Sequence, residues 1–323
     1  MLWRASESAE VKSYELFIDL LYVGILAIAG DGAAEEANGL GLLRFAITFI
    51  LAWKLWSDVS QALAWIIMDD ITRRLSILFM MVILLGLATN MSGSFNNTYI
   101  PLIAFYVAGR WYCALYFLWM GYLIPMVRNA MIGSGIFCFF PGFIWIGSIY
   151  VNNPAKQALI WPAIALDIFG PIILVTFEHG LGPWGSRIKE YIKTAFEFTP
   201  GQNIEHKIER TNAFVALVFG YSVVAILYQS SVPFGINAFF GKAILGLIQS
   251  FTFNWLYFEI DTFNMYQHAI RRHFVSGSSC FYILVLRMML TPRSSIYLAL
   301  YSLTLCHVFY FGRCLFGKNR NHT

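Results

Sequence analysis

From residue 14 onward the chain alternates between long apolar runs and short polar breaks. The pattern predicts helices over 14–30, 40–66, 74–91, 100–126, 131–150, 157–177, 211–229, 236–264, 276–291 and 295–313. Most carry the roughly 17–25 apolar residues that a bilayer's hydrocarbon core requires. The second and eighth are longer and extend past the membrane or tilt, and the ninth is the shortest. Short alternating strands, the mark of a membrane β-barrel, do not occur. The expectation is an all-α, polytopic transmembrane bundle of about ten helices.

The longest polar break, 178–210, contains "WGSRIKEYIKTAFEF". Helical spacing places Trp184, Ile188, Tyr191, Ile192 and Phe196 near one face, with Arg187, Lys189 and Lys193 elsewhere. An interfacial amphipathic helix on the cytosolic leaflet has this pattern, and so does a connector packed on the bundle. The break separates six helices from four, yet 1–323 reads as a single bundle. The polar start has no small-residue cleavage site, so no cleaved signal peptide is expected.

Charge sets the expected orientation. With the N-terminus inside, 15 of the 22 Lys and Arg residues lie nearest cytosolic helix ends, Arg73, Arg74, Lys207 and Arg210 among them. Five lie near outer ends, and Lys54 and Arg110 fall within spans. Both termini are therefore expected in the cytosol. The sequons at Asn90 and Asn96 fall in the outer loop this orientation predicts.

Composition agrees with the pattern and removes several classes. The chain is 58% hydrophobic and 12% charged, about half the charge of a soluble domain, with a mean hydropathy of +0.62. A net charge of +4 spread over loops gives no basic patch for nucleic acid, and the expected partner is the lipid bilayer. The five cysteines and six histidines show no paired metal-ligand spacing, and Cys113, Cys138, Cys280, Cys306 and Cys314 read as small buried hydrophobes. There is no dinucleotide fingerprint, P-loop or nucleophile elbow, so neither a cofactor nor a metal is expected.

Charges inside the spans then carry the functional information, because each is costly unless paired or hydrated. Glu15 and Asp19 lie four residues apart, hence on one helix face. Only Lys12 precedes them within a turn, so their partners must come from other helices or from water. Asp58, one turn after Lys54, and Glu259 with Asp261 are expected at a similar depth on the cytosolic side. These acids read as a polar cavity opening inward. Lys54–Asp58 also fits a structural i,i+4 pair, and Arg110 and Asp167 fit a buried architectural pair. Asp69, Asp70, Arg73 and Arg74 read as a solvated loop, as do Glu205 and His206.

"YELFIDLLYVG" (14–24) resembles the first helix of the low-temperature-requirement A family, roughly E-L-F-F-D-L-V-F-V. The likeness continues in "FILAWKLWSDVSQALAWIIMDDITRR", in "NIEHKIERTNAFVALVFGYSVVAI" against the family's E-H-x-x-E-R, and in "FNWLYFEI". The chain departs from many bacterial members after Glu209-Arg210, where Gly220-Tyr221 stands in place of an L-G-E acid. A chain of this length also resembles the fungal membrane terpene cyclases of the ascochlorin, ascofuranone and macrophorin type. That likeness implies cyclisation of a prenyl chain on an aromatic or quinone-derived head, in an endomembrane such as the endoplasmic reticulum.

Such a reaction needs a carboxylic acid kept neutral by burial or by a neighbouring carboxylate, and π-faces to shelter a carbocation. The candidate acids and bases are Glu15, Asp19, Asp58 and Glu259. Tyr22, Trp53, Trp56, Trp255, Tyr257 and Phe258 share their helices and are the candidate substrate-binding aromatics. Asp69-Asp70-Ile71-Thr72-Arg73 lacks the third acid of a DDxxD magnesium site, and no DxDD occurs. Diphosphate ionisation is disfavoured, and metal-independent, proton-initiated cyclisation of a prenylated small molecule is the expected chemistry. A proton- or ion-coupled transporter and a non-catalytic membrane protein are the alternatives.

Overall fold

The computed structural model describes residues 2–3, 12–35, 38–65, 71–95, 97–152, 154–178, 198–200, 204–227 and 238–262, with isolated positions between 190 and 196. Eight α-helices occur among them: α1 Ser13–Glu35, α2 Gly39–Trp65, α3 Ile71–Thr89, α4 Tyr99–Leu123, α5 Arg128–Ile149, α6 Ala155–Glu178, α7 Ile204–Leu227 and α8 Ala238–Thr262. A 3-10 turn at Pro125–Val127 joins α4 to α5. A two-residue parallel pairing of Leu2–Trp3 (β1) with Thr199–Pro200 (β2) completes the inventory. The helices expected over 276–291 and 295–313, and most of the amphipathic segment, lie outside the described residues.

Six of the helices, α1 to α6, are long and apolar enough to cross a membrane. Their burial is inverted relative to a soluble protein. Leu78, Val82 and Phe140 are more than half exposed, while Asp19, Asp167 and Arg110 are almost completely enclosed. Lipid tails solvate the apolar outer faces, and the polar groups turn inward to find one another. The chain is a polytopic helical membrane protein.

Two compact units divide the chain, Met1–Tyr221 and Ser222–Thr323. In the first, α4 packs along α5 and α5 along α6, while α1 lies on α2 and α3. Small residues permit these approaches. A Cβ on Gly109 would lie 2.8 Å from Leu55 on α2 and 3.1 Å from Ile83 on α3. In the second unit, Ser222 and Ser250 share a 2.7 Å hydrogen bond, and Phe251 packs on Trp255.

Two helix starts differ from expectation in an informative way. Helix α3 begins three residues early, taking in Arg73, and α7 begins seven residues early, taking in His206 and Arg210. Hydropathy locates where apolar residues begin. A helix continues past that point when its first-turn charges find buried partners.

A candidate functional site of buried ion pairs and aromatic rings

Helix α1 presents Glu15 and Asp19 to the interior, one turn apart, both fully buried. Arg73 of α3 donates through Nη2 to Glu15 Oε1 at 2.6 Å. On the other carboxylate oxygen, His206 Nε2 of α7 stands 2.8 Å from Glu15 Oε2. One turn along, Arg210 grips Asp19 with two bonds, Nε to Oδ2 at 2.9 Å and Nη2 to Oδ1 at 2.7 Å. Trp56 of α2 adds an indole N–H donated to Asp19 Oδ1 at 2.7 Å. Bidentate, charge-assisted bonds of this kind are the strong ones, and in a low-dielectric interior they offset the cost of burial.

Aromatic rings pack against the Asp19–Arg210 pair. Tyr22, one turn beyond Asp19 but offset on α1, stacks on Trp56 with centroids 5.4 Å apart. Phe214, one turn beyond Arg210, lies 4.9 Å from Trp56 and 5.9 Å from Tyr22. Trp53 closes the group at 4.9 Å from Trp56, and the Arg210 guanidinium sits 5.9 Å from the Trp56 ring. Carboxylates, cations and π-faces therefore share one site built by α1, α2, α3 and α7.

The family model described as "Bacterial low temperature requirement A protein (LtrA)" matches residues 10–291. The chain belongs to the LtrA family. No curated protein and no solved structure matches it.

A second network lies on the opposite side of α2 in this LtrA-family protein. Lys54 Nζ donates to Asp58 Oδ1 at 2.5 Å, within α2. Arg110 of α4 pairs with Asp58 through Nη1 and with Asp167 of α6 through Nη2, the latter at 2.8 Å. The same Nη2 reaches the carbonyl of Phe137 on α5 at 2.9 Å. Tyr106 and Trp145 complete the shell of Asp167, donating at 2.7 and 2.9 Å. Four helices are tied at one point, with two anions facing two cations.

The structure sorts the sequence candidates into three groups. Glu15, Asp19, Tyr22, Trp53 and Trp56 come together. Asp58 joins the second network instead of completing the Glu15–Asp19 pair, because its position two residues after Trp56 points it toward α4. Trp255 and Tyr257 belong to the second unit, where Trp255 is largely exposed, and the side chains of Phe258 and Glu259 lie outside the described residues.

Sequence reasoning missed three partners. Arg73, read as part of a solvated loop, is buried against Glu15, and His206, also read as solvated, is 2% exposed. Arg210, placed at a helix border, is the clamp on Asp19. The available signal was spacing: His206 and Arg210 are four apart, as are Glu15 and Asp19, so two faces of equal pitch were there to be matched. The Lys54–Asp58 and Arg110–Asp167 pairs occur as the spacing and depth of those residues indicated. Cys113 and Cys138 are buried free thiols.

Proposed function

We propose that this LtrA-family protein cyclises the prenyl chain of an aromatic-headed, lipid-like substrate by protonation, in an endomembrane such as the endoplasmic reticulum. One observation supports the reading above the rest: a carboxylate–imidazole pair, Glu15 and His206, lies one helical turn from the Asp19–Arg210 pair, which the Trp56 ring of the Tyr22–Trp56–Phe214 cluster contacts. The Glu15–His206 pair delivers a proton to the terminal alkene or epoxide. The carbocation so formed is attacked by the next double bond, and loss of a proton to a second carboxylate restores neutrality, so the product is an isomer of the substrate. Asp19, held by Arg210 and Trp56, faces the cation from a fixed position. Glu259 is our candidate for the terminal base, and we assign Asp58 to holding α2 against α4 and α6.

Product analysis of microsomes expressing the chain tests this directly. Fed prenylated phenols with and without a terminal epoxide, they should yield a product of unchanged mass, new retention and one fewer alkene or epoxide. No conversion across that panel, with folded protein in the membrane, removes the reading. The Asp58–Arg110–Asp167 network favours a second one, a proton- or ion-coupled carrier, since charges shared by α2, α4 and α6 suit a relay. Proton flux in liposomes, absent from Arg110→Met protein, would distinguish it.

A further inference from the structure

Helices α1 and α3 run in the same sense, with α2 returning between them, and the Arg73–Glu15 bond ties them together near their first turns. Farther along, a groove with about 350 Å³ of free space opens between them. Helix α1 lines it with Phe17, Leu21, Gly24 and Ile28, and α3 with Leu85 and Ala88. Phe17 and Leu85 are more than half exposed, so the groove opens toward lipid. Gly24 keeps its middle hollow, since a Cβ there would meet nothing within 4 Å.

We infer that this groove holds one acyl chain of an anionic phospholipid, with the lipid's phosphate at Arg74. Length is the first reason. Phe17 and Ile28 are eleven residues apart, about 16 Å along a helix. That is about half the ~30 Å hydrocarbon core, the depth of one leaflet. Charge is the second. Arg74 precedes Leu85 by eleven residues as well, which is three turns and about 20°, so the two share one face of α3 with Leu78 between them. Arg74 and Leu78 are both exposed. Arg74 also follows the residue that binds Glu15, which sets a cation where the two helices begin and the groove approaches the membrane surface. The walls are the third reason. The residues that form them are apolar, the volume falls in the range of about 300–1,000 Å³ typical of small-molecule sites, and apolar walls hold no water. An empty groove would forfeit dispersion contacts along its whole length, and a hydrocarbon chain restores them.

Photo-labelling of the whole protein in nanodiscs tests this without any turnover. The probes are phosphatidylglycerol and phosphatidylcholine, each with a diazirine midway along one acyl chain and used at equal mole fraction. Phosphatidylglycerol should label the segments around Gly24 and Leu85 about fivefold more than phosphatidylcholine does, the ratio that one interfacial basic residue supplies. Arg74→Gln should remove that preference. Gly24→Phe fills the groove from α1 and Leu85→Trp fills it from α3. Each should abolish the label in the groove while label at Phe140, exposed on α5, stays unchanged. The two variants act from different helices, so a folding defect in one leaves the other readable. Equal labelling by the two probes in the unaltered protein, or groove label that survives both substitutions, would overturn the proposal.

Discussion

Glu15 meets His206 one helical turn before Asp19 meets Arg210, and the two contacts share a sequence separation of 191 residues. The rungs therefore advance in step, and α1 and α7 run parallel where they touch. One rung carries a histidine, whose charge depends on a proton, and the other an arginine, whose charge does not. With His206 neutral, the two carboxylates are balanced by Arg73 and Arg210.

Glu15→Gln and His206→Gln should each lower cyclisation by about a hundredfold or more, the span general acids contribute, while leaving folded protein in the membrane. Asp19→Asn should also abolish turnover, through loss of the fixed anion. Product formation per folded molecule is the measurement. Activity near wild type in both Glu15→Gln and Asp19→Asn would remove these residues from the mechanism.

Breaking the second rung should show in stability. Arg210→Met strands Asp19 as a buried anion, and Asp19→Leu strands Arg210, each costing about 3–5 kcal/mol. The double variant should cost clearly less than the two singles summed, because neither charge is then left alone. Thermal unfolding in detergent gives the coupling, and strict additivity would show that the pair does not act as a unit.

Arg110→Lys should destabilise by about 2–4 kcal/mol despite keeping the charge, since an ammonium lacks the planar fork that holds Asp58 and Asp167 together. Unfolding midpoints equal to wild type would mean that charge alone matters there. Asp167→Asn should have a similar cost, because Tyr106, Trp145 and Arg110 all donate to that carboxylate.

Gly109→Ala drives a methyl group against Leu55 and Ile83 and should cost about 1–3 kcal/mol, as overpacking does. Gly147→Ala on α5 is the control, because a Cβ there meets nothing within 4 Å. Comparable unfolding temperatures for the two variants would show that α4 has room to move away from α2.

Hydropathy by itself determined the class of this protein and the identity of its first six spans, because expulsion of apolar residues from water is additive along the chain and needs no knowledge of neighbours. The same local logic identified Lys54–Asp58, whose partners are one turn apart. It also required that Glu15 and Asp19 find company elsewhere. Only the tertiary structure decided who that company is. Arg73 and His206 looked solvated because each borders a polar stretch, and a buried charge is cheap only once its counter-charge arrives from a distant helix. Asp58 was separated from Glu15 and Asp19 for an equally non-local reason: α2 stands between two packing partners, and its two sides face different charges.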